Sequence, residues 1–291
     1  MSKVPTLDEQ ISQLARQMLD PVSIEPVSGT GFLDWRLIAG LIVTRSIQKG
    51  ERIIGISGSQ GSGKSTLAST IVAAFESQGA SALALSIDDF YLTRSARQGL
   101  AQKIHPLLTT RGVPGTHDHA WLCETVAEHQ AGHSVLVPRF NKGIDDREGT
   151  ETHEVDFLVL EGWCLGVQPQ AEYELDEPVN DLERIEDSDG RWRTWVNAQI
   201  PCYQPVWSAV DLWLQLKVPS FDQVYAWRSE QEQSIASSQR MSPTALRRFI
   251  QHYERVTRHL WASPALSPGV DIDLKPDHRV ATIRWADALS S

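Results

Sequence analysis

The chain has 291 residues, 41% of them hydrophobic and 22% charged, with a formal net charge of −10. It can bury a substantial core as one large domain or two small ones, and its acidic balance argues against nucleic acid or an anionic membrane as a partner. Three cysteines, Cys123, Cys164 and Cys202, are too few and too scattered for a disulfide framework or a zinc knuckle.

No apolar run reaches the ~18 residues of a membrane span, and Met1–Asp20 lacks a signal-peptide core, so a soluble cytoplasmic protein is expected. Thr6 and Glu9 read as a capping box, with Leu7, Ile11, Leu14 and Met18 following at helical spacing. Pro21 and Pro26 stop that helix. A second helix is expected from Phe32 to Ile47, ended by Lys49-Gly50. Residues 1–50 therefore read as a helical N-terminal extension packed on a core of residues 51–291.

That core opens with an apolar β-branched run, Ile53, Ile54 and Ile56, leading into Gly58-Ser59-Gln60-Gly61-Ser62-Gly63-Lys64-Ser65. The octet fits G-x-x-x-x-G-K-[ST] in full, and Thr66, Leu67, Ala68, Ile71, Val72 and Phe75 continue it as a helix. A strand, a glycine turn and a helix N-terminus form an anion site from backbone N–H groups. Lys64 is placed to reach the terminal phosphates of a nucleotide, and the Ser65 hydroxyl to hold magnesium. Residues Gly58 to Thr66 are the expected nucleotide site.

Downstream, strands are expected at Ala82–Asp88, Ser134–Phe140, Val155–Leu160 and Val210–Val218, with a final β element at Asp271–Leu274 and Val280–Trp285. Helices are expected at His117–Gln130, Phe221–Ser234 and Pro243–Trp261, and Arg94–Gly115 reads as loop-rich. The stretch Glu172–Asp189 is so acidic that it reads as a solvated surface insertion or a charged helix. Alternating β and α segments point to a three-layer α/β fold around one parallel sheet, with lid and acceptor-binding elements as insertions.

Ligands bind at strand C-termini in such folds, so the polar groups there are the candidates for chemistry. Asp88-Asp89 ends one strand, where a carboxylate can orient an acceptor hydroxyl or take its proton; helix capping is the alternative. Glu161 ends another, where an acid contacts magnesium directly or through water. The turn Arg111–Asp118 supplies an arginine that can clamp an anion, with Thr116 and Asp118 as its polar or capping groups. His117 and His119 are two apart and face different ways on a helix, which disfavours a metal pair. Arg139, Lys142 and Arg147 follow a strand end and suit a carboxylate. Arg228 and the late Arg240, Arg247, Arg248, Arg255 and Arg258 are candidates for a phosphate-closing lid or a solvated helix face. The ten tryptophans read as core and lid packing.

With these residues in hand, the chain resembles the D-glycerate 3-kinase family of P-loop kinases, which groups with phosphoribulokinase, uridine kinase and pantothenate kinase. The matching segments are Gly58–Ser65, Ser86–Tyr91, Arg111–Asp118, Val137–Lys142, Leu160–Gly166, Val224–Glu232 and Phe249–Arg258. The resemblance implies transfer of the ATP γ-phosphate to the 3-hydroxyl of D-glycerate, with magnesium. It implies that Asp88 fills the base position of an Asp-x-Phe-Tyr segment ending at Tyr91. It also implies that Arg111, Thr116, His117 and Asp118 shape the acceptor site, with Lys142 beside them. One departure is Arg240-Met241-Ser242, where a glycine is expected before Met-Ser of the lid helix. Another hydroxyl acceptor, such as pantothenate or a nucleoside, and an ATP-binding switch without an acceptor are the competing readings.

Overall fold

The computed structural model describes residues 35–233 and 240–286, together with Glu9 and Ser12. The helix expected from Thr6 through Met18 lies outside the described residues, apart from those two helical positions. The second expected helix is α1, Trp35–Lys49, which ends at Gly50 with a left-handed φ of 69°.

Six strands build the central sheet. They are β1 (Ile53–Gly58), β2 (Ala82–Ser86), β5 (Phe157–Gly162), β6 (Leu212–Lys217), β7 (Gly269–Leu274) and β8 (Val280–Ala286). Their order is β2-β5-β1-β6-β7-β8. All neighbours are parallel except the edge pair β7–β8. In register, Ile54 of β1 lies opposite Val159 on one side and Leu212 on the other.

The period-two alternation of buried strands supplies both faces of the core. Ile54 and Ile56 point to one face, where α1 and α2 (Lys64–Ser77) cover them with Ile38, Ile42, Leu67, Ile71 and Phe75. Ile53, Leu158 and Leu160 point to the other, against α4 (His119–Gln130) and the later helices. Helix, sheet and helix make the three layers. Gly55 in β1 is required by packing, because a Cβ there would stand 2.8 Å from the Trp213 ring.

Two elements depart from strictly alternating strands and helices. The strand expected at Ser134–Phe140 is β3 (Val135–Asn141), and it pairs antiparallel with β4 (Asp146–His153) in a separate two-stranded ladder. Within the stretch read as loop, α3 (Arg94–Lys103) is a helix whose N-cap Thr93 accepts from the Ala96 N–H at 3.2 Å.

The acidic stretch is mostly exposed and partly a charged helix, yet it is not wholly solvated. It folds into a short turn at Glu172–Leu175 and into α5 (Asp181–Glu186), where Leu175, Leu182, Glu183 and Asp187 are buried. Glu183 pairs at 2.7 Å with Arg255, and Asp187 at 3.1 Å with Arg193, so two carboxylates are buried because two guanidiniums come with them. Arg193 lies on α6 (Arg191–Gln199), which is followed by α7 (Gln204–Ser208), and Arg255 on α9 (Pro243–Ala262). No helix among the described residues is long and apolar enough to cross a membrane.

Candidate active site

The loop from Gly58 to Gly63 joins β1 to α2, and two of its glycines take conformations that side chains resist. Gly61 has φ +79° and Gly63 φ +90°. A Cβ at Gly61 would also stand 2.7 Å from the Trp227 Cβ, because α8 (Phe221–Gln233) lies directly on the loop. The first-turn N–H groups of α2 have no intrahelical acceptor and carry the positive end of the helix dipole.

Lys64 opens α2. Its ammonium donates to the Ser59 carbonyl at 3.0 Å and, among the described residues, forms no ion pair. Burial pushes its pKa below the ordinary value, only partly offset by the charges of Glu161 and Asp88. A buried ammonium facing orphaned N–H groups is a site for an anion. Among the described residues the buried hydroxyls of Ser59 and Ser62 have no partner, which fits the same need. Ser65 Oγ donates to Glu161 Oε1 at 2.9 Å, joining the start of α2 to the end of β5. A hydroxyl and a carboxylate at that separation are hard oxygen donors of the kind magnesium takes, so the residues fit such an ion.

A pocket of about 500 Å³ continues from this cradle. Gln60, Gly61, Gly63, Lys64, Ser65, Thr66 and Glu161 line it together with Asp88, Tyr91, Arg111, Lys142 and Arg228. Asp88 sits in the 3-10 turn Ile87–Phe90 just after β2, where the Ser86 hydroxyl accepts from its N–H. One Asp88 oxygen accepts from the Tyr91 hydroxyl at 2.6 Å and the other from Lys142 Nζ at 2.6 Å. Burial alone would raise the Asp88 pKa, but the Lys142 charge and these two hydrogen bonds hold it below the ordinary carboxylate range. The Tyr91 hydroxyl is pushed well above its usual value by burial and by Asp88, so it stays a proton donor.

Other expected site residues stand behind this wall. Gly58, Ser59 and Ser62 are loop-framing positions, with a Cβ at Gly58 only 2.8 Å from Ser62 Oγ. Thr116, buried, closes its own turn by accepting from Gly112 N–H and donating to the Val113 carbonyl. His117, 1% exposed, stacks on Tyr91 with centroids 4.8 Å apart and takes the Tyr203 hydroxyl at Nδ1, 2.9 Å away. Asp118 caps α4 through the Trp121 N–H and pairs with Arg147 at 3.0 Å. These three brace the Arg111–Gly115 turn and Tyr91 rather than lining the cavity.

Among the arginines weighed between a lid and a solvated helix face, Arg228 lines the pocket, held at 2.9 Å by Glu232. Arg248, Arg255 and Arg258 are committed to Glu186, Glu183 and Glu254, and Arg247 lies over the Tyr225 ring. Sequence reading also passed over Gly162, Trp163, Gln231, Phe249 and Tyr253, which complete the lining. Trp163 and Tyr253 donate to the carbonyls of Gly112 and Arg111, each at 3.0 Å. Gly112 has φ +126°, and a Cβ there would stand 2.3 Å from the Tyr253 hydroxyl, so that turn depends on glycine.

The geometry joins an anion cradle, a magnesium-compatible oxygen pair, an ionised carboxylate and three further cations in one cavity. That set suits phosphoryl transfer, which needs positioning and charge neutralisation more than covalent chemistry. A scan against protein-family models finds no match. The chain is 32% identical over 224 residues to uncharacterized kinase mug58 of Schizosaccharomyces pombe, covering 69% of this chain and 78% of that protein. It is 29% identical over 219 residues to the chloroplastic D-glycerate 3-kinase of Arabidopsis thaliana, of whose length it covers 46%. The solved D-glycerate 3-kinase of Cryptococcus neoformans superposes with a TM-score of 0.76 at 21% identity, over 88% of this chain and 100% of that one. The chain thus belongs to the D-glycerate 3-kinase-like family of P-loop kinases, phosphotransferases with a hydroxyl acceptor.

Proposed function

We propose that this chain transfers the γ-phosphoryl group of ATP to the 3-hydroxyl of D-glycerate. The observation that carries the reading is the Asp88–Lys142 pair opening onto the same cavity as Lys64, with Arg111 beside it. A monocarboxylate with a primary hydroxyl needs a cation for one end and a proton acceptor for the other, and both are within this wall. The likeness to the Arabidopsis D-glycerate 3-kinase supports the same acceptor.

In this reading the loop N–H groups and Lys64 hold the β- and γ-phosphates, and Arg228 faces the transferring group. Ser65 and Glu161 would hold magnesium, which would supply charge neutralisation for the phosphates. Asp88, kept ionised by Lys142 and Tyr91, accepts the hydrogen bond of the attacking hydroxyl and aligns its lone pair with phosphorus. A depressed pKa makes Asp88 an orienting group first and a proton acceptor late, which a loose transition state permits. The chain then divides into a helical extension, residues 1–50, and a kinase domain, residues 51–291, whose insertions bind the acceptor and close over it.

The test is acceptor-dependent ADP release from magnesium-ATP with D-glycerate, pantothenate, uridine and ribulose 5-phosphate. Stimulation by glycerate above the others is expected, with NMR of the product showing phosphate on the 3-oxygen. Stimulation by another acceptor replaces glycerate in this reading, and stimulation by none leaves an ATP-binding switch.

A further inference from the structure

Asp145 lies in the turn of the β3–β4 hairpin, outside the phosphate loop and outside the cavity lining. Its carboxylate joins two arginines. Oδ1 is bonded to Nη1 of Arg111, and Oδ2 lies 2.8 Å from Nη2 of Arg97. Arg97, 1% exposed on α3, also donates to the carbonyls of Leu92, Thr109 and Asp145 itself at 3.2, 2.8 and 2.8 Å. The Asp145 backbone is left-handed, φ 56°, which Asp and Asn tolerate better than most residues. A buried guanidinium therefore pins the turn that carries Lys142, and the same carboxylate occupies one end of Arg111.

What remains of Arg111 is informative. Its Nε and Nη2 have no acceptor among the described residues, and those two N–H groups form the side edge of the guanidinium. That edge matches a carboxylate with two parallel hydrogen bonds. The Phe140 ring lies beneath both guanidiniums, 5.6 Å from Arg111 and 6.0 Å from Arg97, and restrains their planes.

We propose that Asp145 is a positioning residue that turns the Nε–Nη2 edge of Arg111 into the cavity as the reader of the acceptor's carboxylate. It thereby selects carboxylate-bearing over neutral hydroxyl acceptors, and this rests on the organic-acid reading above. Losing Asp145 frees Arg111 to rotate without touching the phosphate loop.

The experiment compares wild type, Asp145→Asn and Arg97→Lys, with full kinetics on the carboxylate acceptor that wild type turns over. Asn keeps the size and the φ of Asp145 but not its charge. In Asp145→Asn, KM for that acceptor is expected to rise about tenfold while kcat stays within about twofold, the signature of lost uniform binding. KM for ATP and the inhibition constant of glyceramide, the neutral analogue, are expected to stay at wild-type values. Arg97→Lys loosens the turn yet leaves Asp145 to face Arg111, so its carboxylate-specific loss should be the smaller. An equal loss on glyceramide and carboxylate, or an unchanged acceptor KM, reduces Asp145 to a turn residue and overturns the proposal. Wild-type turnover of neutral acceptors alone overturns the organic-acid reading itself.

Discussion

Lys142 Nζ stands 2.6 Å from Asp88 Oδ2, so a cation from the hairpin turn and a carboxylate from the end of β2 share one ion pair at the cavity wall. The Lys142 charge and the two hydrogen bonds hold the Asp88 carboxyl below the ordinary carboxylate range against its burial.

Asp88→Asn removes that anion while preserving shape. The turnover number is expected to fall by about 10²–10⁴, with KM for ATP unchanged and the circular-dichroism spectrum intact. Because the folded pKa lies below the ordinary 3.8, wild-type activity should show no acid limb from Asp88 above that pH. Its contribution to stability is present above the unfolded pKa and lost only as pH falls through the folded one. Wild-type turnover by Asp88→Asn would remove Asp88 from the chemistry.

Lys64 illustrates function opposing stability. Its ammonium is buried against a carbonyl, and burial depresses its pKa. Replacing it with Met removes the desolvation penalty and keeps the stem. The ligand-free melting temperature of Lys64→Met is expected to rise by about 2–4 °C, corresponding to about 1 kcal/mol, while acceptor phosphorylation disappears. A lower melting temperature would show that the ammonium is already compensated without nucleotide.

Glu183 is completely buried beside Arg255. Glu183→Ala strands a buried guanidinium and is expected to cost about 3–5 kcal/mol, read from urea midpoints. Exchanging both members for apolar residues of similar volume should recover most of that loss. If the single substitution is as mild as an exposed one, the ion pair is open to water in solution.

His117 and His252 give the acid side of the stability curve. Burial pushes the pKa of each down to about 4 from 6.5. Between those values the unfolded chain binds the protons that the folded chain refuses, so stability falls as pH drops from 6.5 toward 4. The slope is on the order of 1 kcal/mol per pH unit for each histidine. Denaturant midpoints from pH 7.5 to 5 should flatten in His252→Gln, whose site lies away from the cavity; an unchanged slope would mean that His252 already titrates freely.

The nucleotide loop was legible because it is made by backbone, and glycine spacing with a following Lys-Ser reports backbone directly. The central strands were legible for a similar reason, since burial on both faces leaves continuous apolar runs such as Ile53-Ile54. β4 was not, because Asp-Arg-Glu-Gly-Thr-Glu-Thr-His is polar at every position and mostly exposed, leaving no period to read. α3 escaped because its buried residue is Arg97, an anchor for carbonyls rather than part of an apolar stripe. The buried acids of the acidic stretch were not legible because burial of Glu183 depends on Arg255, which is distant in sequence, and composition carries no information about such a partner. Tyr253 lies within a segment that carried the family resemblance, but only the fold brings its hydroxyl to the Arg111 carbonyl.

The separate β3–β4 ladder has a consequence for how such a protein changes over time. Lys142 and Asp145 hang on a two-stranded ladder that shares no strand with the sheet carrying the nucleotide loop. On the acceptor reading proposed above, changes in that hairpin would alter which hydroxyl compound is accepted without touching the strands that carry the phosphate loop. After gene duplication, that separation would let a changed turn be tried against new acceptors while the donor half of the site keeps its own framework.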